Sequence, residues 1–414
     1  MLRRLLVFVA LLAIAALPAG ASLGPAALEA KAYLVMDATT GRVLISHEGD
    51  TPLPMASTTK IMTAILAIER GRLTDLVTVG QKPYDTGGAT IFLEIGEQQT
   101  LENLIYALML ESANDAGVAI AEHLAGSEER FADWMNEKAR TLGATRTHFV
   151  NSHGLHEPGH VSTAFDLALI ARYAMRNPTF RQIVAAEERE MPGAPGYLPR
   201  RLINRNRLLG YYEGANGVKN GFTEEAGLTN VASARRGETE LIAVVLGAEG
   251  KLWTSSMALL DFGFLRYETR LVARQGDMVR PFGVPGVGMV EARVAEDLAV
   301  TVERGATPEQ EGVQVEWLPE LQPPIAVGDP VGWARYLLNG EEVGRVRLVA
   351  ARAIDQPGPV APGKLEVRAA RPGEAALWLV LWLGGSLVLT LHLNQLRTPD
   401  GDRGAKEESE RGAA

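Results

Sequence analysis

Two apolar segments near opposite ends of this 414-residue chain confine the folded body to the residues between them. The first segment follows two arginines and precedes Ala19 and Ala21, a small-x-small pair that is typical of a cleavage site. Its apolar run, residues 5–17, is too short to span a bilayer comfortably. Residues 1–21 are therefore predicted to be a secretory signal peptide that is removed after export.

The second apolar segment, residues 375–393, contains no Asp, Glu, Lys or Arg. As a helix rising about 1.5 Å per residue, it just covers a hydrocarbon core of about 30 Å. A polar stretch of mixed charge follows it, which is typical of a short cytoplasmic tail. We expect a single-pass membrane anchor helix at residues 375–396 and a tail at residues 397–414, so that the body lies outside the cytoplasmic membrane.

The composition of the chain excludes several classes of protein. The chain has no cysteine, so an exported fold has no disulfides and depends on its hydrophobic core. The formal net charge of −9 argues against a nucleic-acid partner, because such a partner requires a basic face. No convincing His cluster with metal-ligand spacing and no glycine-rich nucleotide loop is present, so we predict no metal and no cofactor.

The predicted secondary structure divides the body of the chain into two parts. In the first part, β-rich runs at residues 32–37 and 42–46 form a predicted hairpin, and residues 228–235 and 241–246 form a second strand pair. Elsewhere in this part, apolar residues recur with helical period. The predicted helices are residues 57–70, 101–110, 115–124, 128–142, 163–176 and 252–264. Strands from both ends of residues 22–267, with helices between them, predict an α/β (α+β) domain whose antiparallel sheet is flanked by helices.

The second part of the body is richer in short β-strand patterns. These apolar pieces alternate with turns that contain Pro and Gly. Residues 268–365 are therefore predicted to form a small all-β sandwich domain. Residues 366–374, which include Pro372 and Gly373, are predicted to be a linker to the anchor helix.

A serine and a lysine one helical turn apart carry the first chemical signal. Ser57 and Lys60 form an S-x-x-K pair at the start of a predicted helix, so both side chains lie on one face. A serine hydroxyl is a weak nucleophile until a neighbouring base takes its proton. A lysine whose pKa is lowered by burial and by a second positive charge can act as that base. The pair therefore indicates acyl transfer through Ser57.

Two further motifs follow along the chain. S-x-N at Ser112 and Asn114, and K-x-G at Lys219 and Gly221, each occur once only, as does S-x-x-K. The three motifs stand in the order that penicillin-recognising serine enzymes use. Any one of them could arise by chance, but their joint occurrence in this order is a strong signal of such an enzyme.

With these motifs the chain resembles the low-molecular-mass penicillin-binding proteins that act as D-alanyl-D-alanine carboxypeptidases. Residues 151–155 (Asn-Ser-His-Gly-Leu) and residues 204–206 (Asn-Arg-Asn) are similar to two further segments of that family. The resemblance implies a β-lactamase/transpeptidase-like catalytic domain, a β-rich C-terminal domain and a location at the bacterial cell membrane. It also implies the peptidoglycan peptide stem as substrate and β-lactams as inhibitors.

The resemblance implies a catalytic role for each residue of the first two motifs. Ser57 attacks the carbonyl between the two D-alanines and becomes acylated. Lys60 accepts the proton of that serine. Ser112 relays a proton to the leaving amine, and Asn114 holds the amide carbonyl of the substrate.

The resemblance also implies a substrate-binding set around the third motif. Lys219 supplies positive potential that lowers the pKa of the lysine base and attracts the terminal carboxylate of the substrate. The backbone N–H groups of Ser57 and Phe222 form an oxyanion hole, and Arg205 assists with the carboxylate. The residues predicted to bind substrate are Lys219, Asn220, Gly221, Phe222 and Arg205.

One departure from the family pattern keeps other functions open. The third motif normally reads Lys-Thr-Gly, and here Asn220 replaces the threonine whose hydroxyl contacts the substrate carboxylate. An asparagine amide also donates hydrogen bonds to a carboxylate. A DD-endopeptidase acting on peptidoglycan cross-links shares all of these residues, and a weakly active penicillin-binding wall scaffold or sensor stays open because of Asn220. A β-lactamase is disfavoured, since no Glu between Asn114 and Lys219 has an Asn four residues on.

Overall fold

The computed structural model of the chain describes residues 28–307 and 311–358. The predicted signal peptide, linker, anchor helix and tail lie outside the described residues. In the part of the chain that is described, none of the helices has both the length and the apolar character needed to cross a membrane. The chain divides into two compact units, the first running to Arg270 with Ala299–Arg304 added, and the second comprising the remainder.

The strands are numbered in chain order over the described residues. They are β1 Ala32–Asp37, β2 Val43–His47, β3 Leu53–Pro54, β4 Leu76–Thr78, β5 Gln98–Thr100, β6 Val161–Ser162, β7 Glu188–Met191, β8 Arg200–Ile203, β9 Ala215–Thr223, β10 Gly227–Arg236, β11 Thr239–Ala248, β12 Tyr267–Ala273, β13 Met278–Val284, β14 Gly288–Val294, β15 Leu298–Glu303, β16 Glu311–Trp317, β17 Pro330–Leu338 and β18 Glu341–Ala350.

The helices follow the same convention. They are α1 Lys60–Arg70, α2 Gln81–Asp85, α3 Leu101–Leu110, α4 Asn114–Ala125, α5 Glu128–Thr141, α6 Ala164–Ala174, α7 Pro178–Ala185, α8 Leu208–Tyr211 and α9 Leu252–Arg266. A single 3₁₀ turn, Ala56–Thr59, leads directly into α1.

The central sheet of the first unit joins the start of the domain to its end. Its strand order is β2-β1-β11-β10-β9, and neighbouring strands are antiparallel. β1 pairs with β11 from Ala32 opposite Leu246 to Asp37 opposite Leu241. The predicted hairpin and the predicted second strand pair are confirmed, with small shifts at the strand ends.

The central strand β11 separates two hydrophobic cores. Every residue of β11 is buried, and its side chains point alternately to opposite faces of the sheet. Ile242 and Val244 pack in the larger core with the helices α1 and α3. Leu241 and Ala243 pack in the smaller core, to which α9 contributes Leu259. The sheet is therefore covered by helices on both faces, as the strand and helix pattern predicts.

The helix α1 lies inside the larger core. All of its residues from Lys60 to Ala67 are buried, as expected for a helix that is enclosed rather than laid on a surface. Arg70 is the last residue of the helix, and Gly71 caps its C-terminus. The predicted helix over residues 57–70 is thus present, but its first turn is 3₁₀ and places Ser57 ahead of the α-helix proper.

The second unit contains one five-stranded antiparallel sheet with the order β13-β14-β18-β17-β16. Burial alternates along β14, so one face of the sheet is buried. Phe282 on β13 stacks on Trp317 on β16, with ring centroids 6.0 Å apart. These two strands are the edges of the sheet, so the sheet coils strongly enough to bring its edges around one core. The predicted C-terminal β-rich domain is thus present, built around this sheet.

Candidate active site

The 3₁₀ turn that carries Ser57 is held in place by threonine side chains. The hydroxyl of Thr58 donates to the carbonyl of Met55 at 2.7 Å, and that of Thr59 donates to the carbonyl of Ala56 at 2.8 Å. Ala56 itself has a left-handed backbone with φ of 48°. A non-glycine residue in this region costs free energy, and such residues cluster at functional sites. Ser57 is half-buried at this turn, with its hydroxyl directed at Lys60.

The ammonium group of Lys60 is fully buried and has three acceptors. Its Nζ lies 2.9 Å from the Oγ of Ser57, 2.7 Å from the Oδ1 of Asn114 and 2.5 Å from the backbone oxygen of His153. The structure thus brings together the serine and lysine of the first motif and the asparagine of the second. Two of the predicted site residues, Ser57 and Asn114, therefore lie within hydrogen-bond distance of the amine of a third.

The acceptors around Lys60 determine where its lone pair points when the amine is neutral. A backbone carbonyl can only accept, and the Oδ1 of Asn114 can only accept. The Nδ2 of Asn114 donates to the carbonyl of Gly87 at 2.8 Å, which fixes the orientation of that amide. A neutral Lys60 amine therefore uses its two N–H groups on Asn114 and His153. Its lone pair then faces the hydroxyl of Ser57, which is the arrangement a general base requires.

Burial and neighbouring positive charge both favour a neutral Lys60. The pKa of Lys60 is well below its ordinary value, first because the group is removed from water and then because Lys219 is nearby. The charge of Asp115 opposes this shift. Burial also lowers the pKa of Lys219 to about 7, and Arg205 adds to that effect. Lys60 thus has the lowered pKa that a lysine acting as a general base requires.

The third motif lies on β9, the edge strand of the central sheet. Lys219 is buried and donates from Nζ to the carbonyl of Asn220 at 2.8 Å. A Cβ atom on Gly221 would lie 2.6 Å from the backbone nitrogen of Ser57, so only glycine lets the strand approach the serine so closely. Phe222 follows on the same edge with 62% of its surface exposed. This edge strand therefore lies directly against the turn that carries Ser57.

Ser112 lies in the short connection between α3 and α4. Its backbone is left-handed, with φ of 64°, and the residue is buried. Asn114, two residues on, is the first residue of α4 rather than part of the loop that was predicted to precede residue 115. The turn at Ser112 therefore leads directly into the helix whose first residue, Asn114, contacts Lys60.

A cleft of about 750 Å³ opens beside Asn220. It is lined by Glu111, Ile203, Asn204, Arg205, Arg207, Asn220, Leu228, Lys251, Leu252, Trp253 and Thr254. The predicted carboxylate-binding residue Arg205 lines it, but its guanidinium pairs with Glu111 through Nε at 3.1 Å. Lys251 and Trp253 line the same cleft and carried no motif signal in the sequence. The cleft gives the site cationic and apolar walls on the Asn220 side.

Two backbone carbonyls at the site were not identified from the sequence. They belong to Gly87 and His153, which bind Asn114 and Lys60 respectively. No residue type signals such a role, because every residue carries a carbonyl. Within residues 28–307 and 311–358, no group of three or more His, Cys, Asp or Glu side chains is placed to hold a metal ion.

Two family models match the chain. Residues 19–250 match the model described as D-alanyl-D-alanine carboxypeptidase. Residues 267–356 match the model described as penicillin-binding protein 5, C-terminal domain. The first match covers more than half of the chain, including all three motifs, and the second covers the β-rich part.

Individual proteins similar to this chain carry the same descriptions. The D-alanyl-D-alanine carboxypeptidase DacF of Bacillus subtilis is 32% identical over 342 residues, which are 80% of this chain and 87% of DacF. DacC of Escherichia coli, with the same description, is 33% identical over 357 residues, which are 80% of this chain and 86% of DacC. The crystal structure of penicillin binding protein 5 from Haemophilus influenzae has a TM-score of 0.71 and 26% identity, covering 81% of this chain and 100% of that one.

Proposed function

The chain belongs to the family of D-alanyl-D-alanine carboxypeptidases, and on that premise we propose that Ser57 is the nucleophile and Lys60 the general base of this protein. The protein is a serine-type DD-carboxypeptidase, with a catalytic domain and a C-terminal β domain. Its substrate is proposed to be the pentapeptide stem of peptidoglycan, from which it removes the terminal D-alanine. The same serine is proposed to react with β-lactams.

The first half of the reaction forms an acyl-enzyme. The hydroxyl proton of Ser57 passes to the Nζ of Lys60 as Oγ bonds to the carbonyl carbon between the two D-alanines. The resulting oxyanion accepts hydrogen bonds from the backbone N–H groups of Ser57 and Phe222. Each such donor contributes roughly 10²–10³ in rate. The C–N bond then breaks, and the leaving amine receives a proton from Lys60 through Ser112.

The second half of the reaction returns the enzyme to its starting state. A water attacks the ester carbonyl and gives a proton to the amine of Lys60. The bond from Oγ to the carbonyl carbon then breaks, and Ser57 recovers its proton from Lys60. The amide of Asn114 has one N–H committed to Gly87 and a second N–H for the carbonyl of the substrate. Lys219, Asn220 and Arg205 are proposed to bind the terminal carboxylate.

The observation that carries this mechanism is the set of three acceptors around Lys60. Two of them can only accept, so a neutral Lys60 must direct its lone pair at Ser57. A lysine that served only as a solvated surface charge would not be buried with its amine so constrained.

The substrate assignment is tested by measuring release of D-alanine from a synthetic pentapeptide stem, alongside cleavage of a cross-linked stem dimer. We expect the wild-type protein to release D-alanine and the Ser57→Ala variant to release none. Faster cleavage of the dimer than of the pentapeptide would identify a DD-endopeptidase. Penicillin labelling without turnover of either substrate would identify a wall scaffold or sensor.

We also propose that the catalytic domain lies outside the cytoplasmic membrane of a bacterial cell and is tethered by residues 375–396. The support is the sequence pattern of a signal peptide at residues 1–21 and of the uncharged apolar run near the C-terminus. A variant ending before Glu374 should leave the membrane fraction as a soluble, penicillin-binding protein. Continued sedimentation of that variant with membranes would contradict the proposed anchor.

A further inference from the structure

A buried carboxylate near the site has no part in the mechanism given above. Glu128 is the first residue of α5, and its side chain is 7% exposed. Its Oε1 accepts from the backbone N–H of Ser152 at 3.0 Å and from the Ser152 hydroxyl at 2.7 Å. Its Oε2 lies 3.1 Å from the Nζ of Lys82. A carboxylate is buried only when its partners offset the loss of water. Glu128 is therefore held in place by its contacts with Ser152 and Lys82.

The imidazole of His153 adds a further contact to Glu128. The Nδ1 of His153 accepts from the backbone N–H of Leu155 at 3.1 Å, so the proton of the neutral ring is on Nε2. That Nε2 lies 3.4 Å from Oε1 of Glu128. Burial lowers the pKa of His153 to about 4, although the charge of Glu128 opposes this. The ring is therefore neutral near pH 7 and serves to hold the segment in place.

The two residues held by Glu128 both contact helix α1. The carbonyl of Ser152 accepts from the hydroxyl of Thr63 at 2.6 Å. The next carbonyl along the chain, that of His153, accepts from the Nζ of Lys60 at 2.5 Å. Each link in this path is a buried hydrogen bond, so a displacement of residue 152 displaces the acceptor of Lys60.

We propose that Glu128 is a positioning residue for Lys60, acting through the backbone of Ser152 and His153. Glu128 touches neither Ser57 nor Lys60. It places the His153 carbonyl so that one N–H of the Lys60 amine is engaged and the lone pair faces Ser57. This inference rests on the proposed function, in which Lys60 is the general base.

Loss of this support has two separable effects. Without the His153 carbonyl the neutral amine has a single fixed acceptor, so its lone pair is no longer directed and acylation slows at every pH. A carbonyl acceptor also stabilises the ammonium form, so its withdrawal lowers the pKa of Lys60 further. The charge removed from Glu128 acts in the same direction. The charged or titratable groups around Lys60 are Lys219, Asp115, Arg205, His153 and His160. Those around Glu128 are Lys82, His153, Glu122 and Glu129.

The test compares Glu128→Ala and Glu128→Gln with the control Glu129→Gln in the full chain. Glu129 is exposed and pairs with the same Lys82 at 2.9 Å, whereas Ser152 is bound to Glu128. The measurement is the rate constant of acylation by a fluorescent penicillin as a function of pH, together with the labelled fraction at completion. The pH at half-maximal rate reports the protonation of Lys60, and the labelled fraction reports correctly folded protein.

For Glu128→Ala we expect the limiting rate constant to fall roughly tenfold to a hundredfold, as for a lost hydrogen bond to a charged group. The pH at half-maximal rate should move to lower values. Glu128→Gln keeps an oxygen for Ser152, so its loss should be about threefold to tenfold. Glu129→Gln should stay within about twofold of wild type, the level at which exposed pairs act.

A reduced labelled fraction at an unchanged rate and midpoint would overturn the inference, because it shows only a folding defect. A slower rate at an unchanged midpoint would overturn it as well, and so would behaviour equal to that of Glu129→Gln. If Glu128→Ala does not fold, the conservative Glu128→Gln variant decides the matter alone. Wild-type protein that is not labelled, or Ser57→Ala protein that is, would instead contradict the proposed function itself.

Discussion

Replacing Asn114 by aspartate is an almost isosteric change that alters one charge beside the proposed base. The new carboxylate oxygen occupies the position of Oδ1, which is 2.7 Å from the Nζ of Lys60. The second oxygen replaces the Nδ2 that donates to the carbonyl of Gly87. The substitution therefore turns a neutral acceptor into an ion pair, and it leaves one backbone carbonyl without its donor.

The size of the expected pKa shift of Lys60 follows from the distance between its Nζ and the new carboxylate. At 2.7 Å and an effective dielectric constant of about 20, the attraction between unit charges is about 6 kcal/mol before the cost of burying the carboxylate. Repulsion from the neighbouring Asp115 and the cost of removing the new carboxylate from water offset a large part of this attraction. An opposite charge in contact commonly moves a titration by roughly 1–3 pH units. Because the base must be neutral to act, the rate below the midpoint should fall about tenfold for each unit, or roughly ten- to a thousandfold.

The assay is the acylation rate constant with a fluorescent penicillin from about pH 5 to about pH 10, the range over which lysines with lowered pKa values titrate. We expect the Asn114→Asp profile to be displaced to higher pH and to recover part of the lost rate there. Asn114→Ala removes the acceptor without adding a charge, and its profile should not move upward. A profile for Asn114→Asp that is lower at all pH values, with the wild-type midpoint, would refute Lys60 as the titrating base.

Substitutions at Asn220 and at Gly154 test other contacts of the site. If Asn220 is a poorer carboxylate donor than threonine, Asn220→Thr should raise kcat/KM on a D-Ala-D-Ala peptide roughly threefold to a hundredfold, and Asn220→Ala should lower it; equality of Asn220→Ala with wild type would remove any role for the side chain. Gly154 has φ of +91°, and a Cβ there would lie 2.0 Å from the carbonyl oxygen of Ala56. Gly154→Ala should therefore lower the free energy of unfolding by about 2 kcal/mol or more in denaturant titrations, whereas Gly96→Ala, with φ of +84° and nothing within 4 Å, should cost about 1–2 kcal/mol.

The sheet and most helices of the first unit could be predicted because their signals are local. β11 contains the continuous apolar run 241–246, of the kind that a strand covered on both faces requires, and its partner β1 is also mostly apolar. The helix that begins at Lys60 is apolar on several sides and ends at a glycine, which predicts a buried helix and its last residue. Three short motifs then indicated which residues meet, and the structure brings Ser57, Lys60 and Asn114 within hydrogen-bond distance.

The remaining parts of the site depend on tertiary placement. The carbonyls of Gly87 and His153 come from segments far from Lys60 in the chain, and a carbonyl leaves no trace in residue type. The pairing of Arg205 with Glu111, 94 residues away in the chain, depends on the fold in the same way. The curled sheet of the second unit follows from strand coiling, which residue patterns along single strands do not encode.

The central claim is that Ser57 is the residue that becomes acylated. Its most direct test is to incubate the protein with a penicillin, measure the intact mass, and locate the adduct by peptide mapping. We predict one adduct on the peptide that contains Ser57, none in Ser57→Ala, and almost none in Lys60→Ala, because nucleophile and base act as a unit. An adduct located on any other residue, or an adduct that persists in Ser57→Ala, would contradict the account.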